Sequence, residues 1–143
     1  MPTPGVKARI DRFWRAIKRL QKILNTNLEQ FVENEDLIDA SERNLEVAVE
    51  AMIDIGEALI TYMRWRTPKS YREMGIVLLD NKVINEVLSE KFREAVNLRN
   101  ILVHNYIYLT PKELYNNIKS YINPLTNIVY NIINYMKEKN IDP

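Results

Sequence analysis

The chain has 143 residues, of which 46% are hydrophobic and 27% are charged, a balance typical of a soluble globular protein. Its 20 basic and 19 acidic residues leave a net charge of +1, which excludes the broad positive field of an unspecific nucleic-acid binder. The absence of cysteine excludes disulfides, thiol nucleophiles and cysteine-type zinc sites. No apolar run approaches the roughly 20 residues that span a bilayer, and the N-terminus lacks the apolar core of a signal peptide. We therefore expect a cytoplasmic protein that does not bind membranes.

Hydrophobic periodicity predicts helices along the first half of the chain. Apolar residues recur every three or four positions across residues 6–24, and a short second helix is predicted over 28–34. A central helix is predicted to begin at Asp39, where Glu42 completes a capping box, and to end before Pro68. This helix has two apolar lines, so we expect it to be buried on more than one side and to form the core.

Two further helices are predicted to lead into the most informative segment of the chain. Ser70 and Glu73 form a second capping box, which opens a short helix that ends near Leu79. The next helix is predicted to begin near Val83 and to run into the sequence R-N-I-L-V-H-N-Y at residues 99–106. The predicted apolar face of this helix consists of Val87, Leu88, Phe92, Ala95, Leu98 and Leu102.

The last helix has the strongest start signal, because Thr110 is a good N-cap, Pro111 suits the first helical position and Glu113 completes a capping box. It is predicted to reach Lys137 with a bend at Pro124, which has no backbone N–H to donate. The predicted fold class is therefore all-α: an antiparallel bundle of about four to six helices in a single domain that spans 1–143.

The segment at 99–106 contains the only histidine of the chain, so acid–base chemistry by imidazole is limited to His104. Arg99, five residues earlier, carries the permanent charge that can stabilise a phosphodiester in its transition state. If the helix continues through the segment, Arg99 and Tyr106 lie on one line, two turns apart. Asn100 and His104 stack one turn apart on a neighbouring line. The four side chains would then share one polar face.

The number of proton transfers that RNA cleavage requires favours a homodimer. Cleavage of RNA by its ribose 2′-hydroxyl needs one base to remove a proton and one acid to return a proton. A single histidine per chain cannot readily do both in one concerted step, whereas two chains related by a two-fold axis supply two imidazoles. The angle of roughly 140° between Arg99 and His104 around one helix also favours a second copy of the segment facing the first.

The segment at 99–106 resembles the R-x4-H-x-Y signature of HEPN-domain ribonuclease toxins, and most of all their HepT-like branch. Two further segments are similar to that family in the same order: residues 43–55 resemble its central helix, and residues 67–78 resemble its linker and short helix. The resemblance implies an all-α homodimer whose two motifs meet in a cleft and cut RNA without a metal or a cofactor. It also implies a role as the toxin of a toxin–antitoxin pair.

The resemblance assigns a role to each motif residue. His104 would be the general acid or base, Arg99 would bind phosphate and stabilise transition-state charge, and Asn100 would orient the site. Tyr106 matches the tyrosine that a partner minimal nucleotidyltransferase antitoxin modifies with AMP. An added phosphate and nucleotide beside Arg99 would neutralise its charge and block the cleft.

The residues by themselves leave alternatives open. His104 could end a helix and hydrogen-bond a backbone carbonyl, Arg99 could form a salt bridge, and Tyr106 could simply pack at the helix end. The alternative function is a non-catalytic HEPN-type helical module that binds a minimal nucleotidyltransferase without cutting RNA. A four-helix metalloprotein is excluded because the chain has no Glu-x-x-His pair of the kind that holds two iron ions.

Two other clusters have competing interpretations. Arg64, Arg66 and Lys69, with a tryptophan between the arginines, could contact an RNA strand by charge and stacking, or could form the solvated end of the central helix. Glu50 and Asp54 lie one turn apart on that helix. We interpret them as structural hydrogen-bonding groups, because a metal site would need a third placed carboxylate or a nearby histidine.

Overall fold

The computed structural model describes residues 4–104 and 109–143, which form six α-helices and no strand. The all-α prediction is therefore confirmed for these residues. The helices are α1 (Lys7–Ile23), α2 (Leu28–Val32), α3 (Glu35–Met63), α4 (Tyr71–Asp80), α5 (Glu86–Val103) and α6 (Pro111–Glu138).

Side-chain caps explain where five of these helices begin. In each of α2 to α6 the N-cap side chain accepts a hydrogen bond from the backbone N–H three residues later, which satisfies a donor that has no partner inside the helix. Both hydrogen bonds of the predicted capping box are present: the Thr110 side chain accepts from the Glu113 backbone N–H, and the Glu113 side chain accepts from the Thr110 backbone N–H. The predicted start of α3 at Asp39 is wrong, because Asn34 caps the helix and Asp39 lies one turn inside it.

Helix α3 lies at the centre of the bundle and contacts each of the other five helices. Both of its predicted apolar lines face the core. The buried members of these lines are Leu45, Ala48, Val49, Ala51, Met52, Ile55 and Leu59. Since complete burial of one large apolar side chain contributes about 1.5–3 kcal/mol, α3 is a main source of the stability of the bundle.

Helices α4 and α5 approach each other closely at Gly75. A Cβ atom added to this glycine would lie 3.1 Å from the carbonyl oxygen of Ser89 and 3.2 Å from Cδ1 of Phe92. The buried Ser89 hydroxyl donates a hydrogen bond of 2.7 Å to the Gly75 carbonyl oxygen. This contact sets the position of α5 along α4, and so places the residues at the far end of α5.

The apolar face predicted for α5 is confirmed with one exception. Phe92, Ala95 and Leu98 are buried, and Leu88 and Leu102 pack against the core. Val87 is 65% exposed, so its predicted place on the apolar face is wrong. It lies in the first turn of α5, where the helix has only just begun beyond its cap at Asn85.

Helix α6 continues through Pro124, so this proline does not end the helix. Proline cannot donate to the carbonyl oxygen four residues earlier, which belongs to Ser120. Ser120 is an exposed residue of α6. Within residues 4–104 and 109–143, no helix combines the length and the apolar character that crossing a membrane requires.

Candidate active site

Arg99, Asn100 and His104 lie at the C-terminal end of α5, which ends one residue before His104. The φ and ψ angles of His104 are −94° and 101°, an extended conformation, while its backbone N–H still donates to the Asn100 carbonyl oxygen at 3.1 Å. His104 follows Arg99 by five positions, which corresponds to about 7–8 Å along a helix axis. His104 and Asn100 are exposed and Arg99 is half-buried. Leu98 is buried behind them, as predicted.

Tyr106 lies outside the described residues. Its predicted alignment with Arg99 depended on a helix that continues to residue 106, whereas α5 ends at Val103. Helical periodicity therefore no longer places Tyr106 relative to Arg99, and its position stays a prediction from the motif.

The guanidinium of Arg99 is held on two sides. Its Nη2 donates to Oε1 of Glu50 at 3.4 Å, and its Cζ lies 5.8 Å from the centre of the Tyr71 ring, a cation–π distance. The side chains of Arg99 and Glu50 are 24% and 30% exposed. The buried Nε of Arg99 has no hydrogen-bond partner within the described part of the chain. Arg99 thus forms the salt bridge that was its alternative role, and keeps further N–H groups for another ligand.

Glu50 and Asp54, the pair of α3 carboxylates considered above as metal ligands, are both partners of arginines. Glu50 pairs with Arg99, and Oδ2 of Asp54 lies 3.6 Å from Nε of Arg9. Glu50 therefore accepts a hydrogen bond, as interpreted from the sequence, whereas Asp54 is half-exposed in its ion pair with Arg9. Among the residues that the structure describes, no three of the histidine, aspartate and glutamate side chains lie together as a metal site would require.

The basic residues that follow α3, which are Arg64, Arg66 and Lys69, lie in two different environments. Arg64 and Lys69 line a groove of about 800 Å³ between the end of α3, residues 64–70, the start of α4, and α5. Arg66 does not line the groove, because its guanidinium pairs with Glu73 and, at 3.5 Å, with Asp80. The backbone N–H of Lys69, and then Arg66, lower the pKa of Glu73. Arg66 thus ties the loop to α4.

Three residues beside the motif were not identified as site residues from the sequence. Tyr71 and Arg72, in the first turn of α4, line the groove together with Asn100. Glu50 is 49 positions from Arg99 along the chain. The capping box at Ser70 predicted the first turn of α4, but only the packing of α4 against α5 shows that this turn faces the motif.

Comparisons with known proteins agree with this architecture. Residues 14–132 match the family described as Ribonuclease HepT-like. The chain is 35% identical over 92 residues to the mRNA nuclease HepT of Shewanella oneidensis, which covers 64% of this chain and 68% of that protein. It is 25% identical over 112 residues to the tRNA nuclease HepT of Aphanizomenon flos-aquae, which covers 77% of this chain and 75% of that protein.

Solved structures show the same helical arrangement. A tri-AMPylated Shewanella oneidensis HEPN toxin, in complex with its MNT antitoxin, is similar with a TM-score of 0.81 and 27% identity, over 92% of this chain and 98% of that one. A toxin–antitoxin crystal structure with AMP-PNP gives a TM-score of 0.80 at 27% identity, over 89% and 96% of the two chains. The predicted HEPN-like bundle is confirmed. Because the family match extends from α1 into α6 and includes the Arg99–His104 segment, the chain belongs to the HepT-like ribonuclease family.

Proposed function

We propose that this protein is the endoribonuclease toxin of a toxin–antitoxin pair, and that Arg99 and His104 carry out the cleavage at the interface of a homodimer. The observation that supports this most is the end of α5, where an exposed imidazole follows a guanidinium anchored by Glu50 and Tyr71. Relatives named as nucleases and solved toxin–antitoxin complexes support the same conclusion.

The proposed reaction needs no group beyond the side chains of two protomers and the RNA itself. His104 of one protomer removes the proton of the ribose 2′-hydroxyl, whose oxygen attacks the adjacent phosphorus. His104 of the second protomer gives a proton to the departing 5′-oxygen, so that one strand ends in a 2′,3′-cyclic phosphate and the other in a 5′-hydroxyl. Arg99 stabilises the negative charge that accumulates on the phosphoryl oxygens. Asn100 orients the site from the preceding turn. The proposed location of this activity is the cytoplasm.

The central experiment compares RNA cleavage by the purified protein with that of His104→Ala and Arg99→Ala. Loss of a general acid or base reduces a rate by about 10²–10⁴-fold, so we expect losses of that size for His104→Ala. Sedimentation and thermal unfolding of each variant show whether dimer and fold are retained. Cleavage by His104→Ala at the wild-type rate would refute the assigned role of the histidine.

The second part of the proposal concerns silencing of the toxin at Tyr106. A solved relative is described as a tri-AMPylated toxin in complex with its antitoxin, and Tyr106 occupies the tyrosine position of the motif. We expect co-expression with a neighbouring minimal nucleotidyltransferase to add AMP to the protein, which intact mass spectrometry detects. Tyr106→Phe should remove the modification at this position and leave the toxin active in the presence of its partner.

The alternative is a non-catalytic HEPN-type module that binds a minimal nucleotidyltransferase. It is favoured by one observation, that the two solved structures described above contain a toxin together with an antitoxin. Expression without a partner separates the two functions. A ribonuclease toxin inhibits growth and its His104→Ala variant does not, whereas a binding module is harmless in both forms.

A further inference from the structure

The groove beside the motif has an apolar floor. Ile60 of α3, Met74 of α4 and Val96 of α5 are all buried and line its base. Its volume of about 800 Å³ lies within the range of roughly 300–1,000 Å³ that is common for small-molecule sites. The groove therefore has room for a flat, partly apolar group such as a nucleobase.

The rim of the groove is positively charged. Arg64, Lys69 and Arg72 are exposed around it, and Glu57 is the one carboxylate that lines it among the described residues. Three cations and one anion give a local charge of +2, compared with +1 for the whole chain. Within residues 4–104 and 109–143, none of the three cationic side chains is in an ion pair, in contrast to Arg66. A rim of this kind attracts phosphate groups.

The groove borders the motif. Asn100, next to Arg99 in the chain, lines the groove. Tyr71 lines both the groove and a smaller cavity of about 140 Å³ that is also lined by Arg99 and Glu50. Tyr71 is 45% exposed, and the guanidinium of Arg99 lies 5.8 Å from the centre of its ring. A strand with one phosphate at Arg99 would therefore enter the groove with its neighbouring nucleotide.

We propose that this groove binds the single-stranded RNA segment that flanks the cleaved bond. Its backbone phosphates lie against Arg64, Lys69 and Arg72, and a base lies on the apolar floor beside Tyr71. Cationic grooves with an aromatic platform are the usual way in which proteins bind single strands without reading their sequence. The inference rests on the proposed ribonuclease function for the identity of the ligand. It explains how a nearly neutral protein binds a polyanion, since the charge is local.

The test uses two triple variants that remove the same charge. The groove variant is Arg64→Gln with Lys69→Gln and Arg72→Gln. The control is Arg12→Gln with Arg15→Gln and Lys18→Gln, three exposed residues of α1 that do not line the groove. Binding of a fluorescent single-stranded RNA is measured at several salt concentrations, with both triples placed in a His104→Ala background so that the RNA stays intact.

Each phosphate contact on a single strand contributes about 0.7 to the slope of log affinity against log salt. Loss of three contacts should therefore reduce the slope by about 2 in the groove variant. The α1 variant should keep the slope of log affinity against log salt that the His104→Ala protein has. Equal slopes in the groove variant and its parent, or equal reductions in both triples, would overturn the inference. A change of oligomeric state in the groove variant without a change of slope would show that a second protein chain covers the groove, which also overturns it.

These outcomes are separable from those of the proposed function. If the wild-type protein binds RNA with a groove-dependent slope but does not cleave it, the groove inference stands and the nuclease proposal fails. If the wild-type protein cleaves RNA and the groove triple, with His104 retained, cleaves and binds equally well, only the groove inference fails.

Discussion

Glu50 is expected to position Arg99 for catalysis, and Glu50→Gln tests this with little change of shape. The substitution removes the carboxylate charge that lies 3.4 Å from Nη2 of Arg99. A charge pair at that distance has a Coulomb energy of about 5 kcal/mol at an effective dielectric constant of about 20. Desolvation and side-chain ordering offset most of this, and measured values for exposed pairs are about 0.2–1 kcal/mol. With side chains 24% and 30% exposed, we expect Glu50→Gln to lower the free energy of unfolding by about 1 kcal/mol.

The effect on catalysis should appear in kcat. In Glu50→Gln the guanidinium keeps a neutral amide acceptor and the Tyr71 ring but loses the attraction of the carboxylate charge, so it spends less time in the orientation that the transition state needs. A loss of about 1 kcal/mol in the transition state corresponds to about a fivefold lower kcat. KM should change little, because the charge of Arg99 is still present to attract phosphate. The assay is steady-state cleavage of one RNA substrate, with kcat and KM determined separately.

Glu46→Gln is a matched control. Glu46 lies one turn from Glu50 on α3, and its Oε1 is 3.3 Å from Nη1 of Arg43, a pair of the same type away from the motif. We expect it to change stability by a similar amount or less and to leave kcat unchanged. The reasoning is refuted if both variants lower kcat equally, or if Glu50→Gln cleaves RNA with the kcat of the wild type.

Three further predictions concern metal, packing and pH. Cleavage should be unchanged after treatment with EDTA, because the proposed acid, base and charge stabilisation come from side chains; a loss that Mg²⁺ restores would contradict this. Gly56→Ala should raise the free energy of unfolding by about 0.5–1 kcal/mol, because the new methyl would lie at an ordinary 3.5 Å from Leu78 Cδ1. Gly75→Leu should lower it by about 1–3 kcal/mol, because a Cβ atom there would lie 3.1 Å from the Ser89 carbonyl oxygen. Denaturant unfolding measures the free energy of unfolding of both variants. Equal changes in the two variants would be inconsistent with the close approach of α4 and α5 at Gly75. The lowered pKa of Glu73 means that its contribution to stability is present above the ordinary value of 4.5 and is lost as the pH falls through the folded-state pKa. The difference in Tm between wild type and Glu73→Gln should therefore be largest near neutrality and shrink in acid, and a constant difference would exclude this role.

The local sequence was sufficient to predict the helices, because helix formation depends on residues within a few positions of one another. Apolar periodicity identified the buried lines of α3, and the threonine–glutamate capping box placed the start of α6. The errors have local causes as well. Asp39 is a good capping residue, but Asn34 caps α3 five positions earlier and Asp39 is enclosed within the helix. Val87 matches the period of α5, but its turn lies at the exposed start of that helix.

The sequence by itself determined the all-α class, the start of α6 and the segment from Arg99 to Tyr106 whose residue types suit RNA cleavage. Only the tertiary structure decided which side chains surround that segment. Glu50 comes from 49 positions away, and Tyr71 and Arg72 come from a helix whose approach to α5 depends on Gly75. The physical reason is that caps and periodicity depend on nearby backbone, whereas contacts between helices depend on how their surfaces pack together.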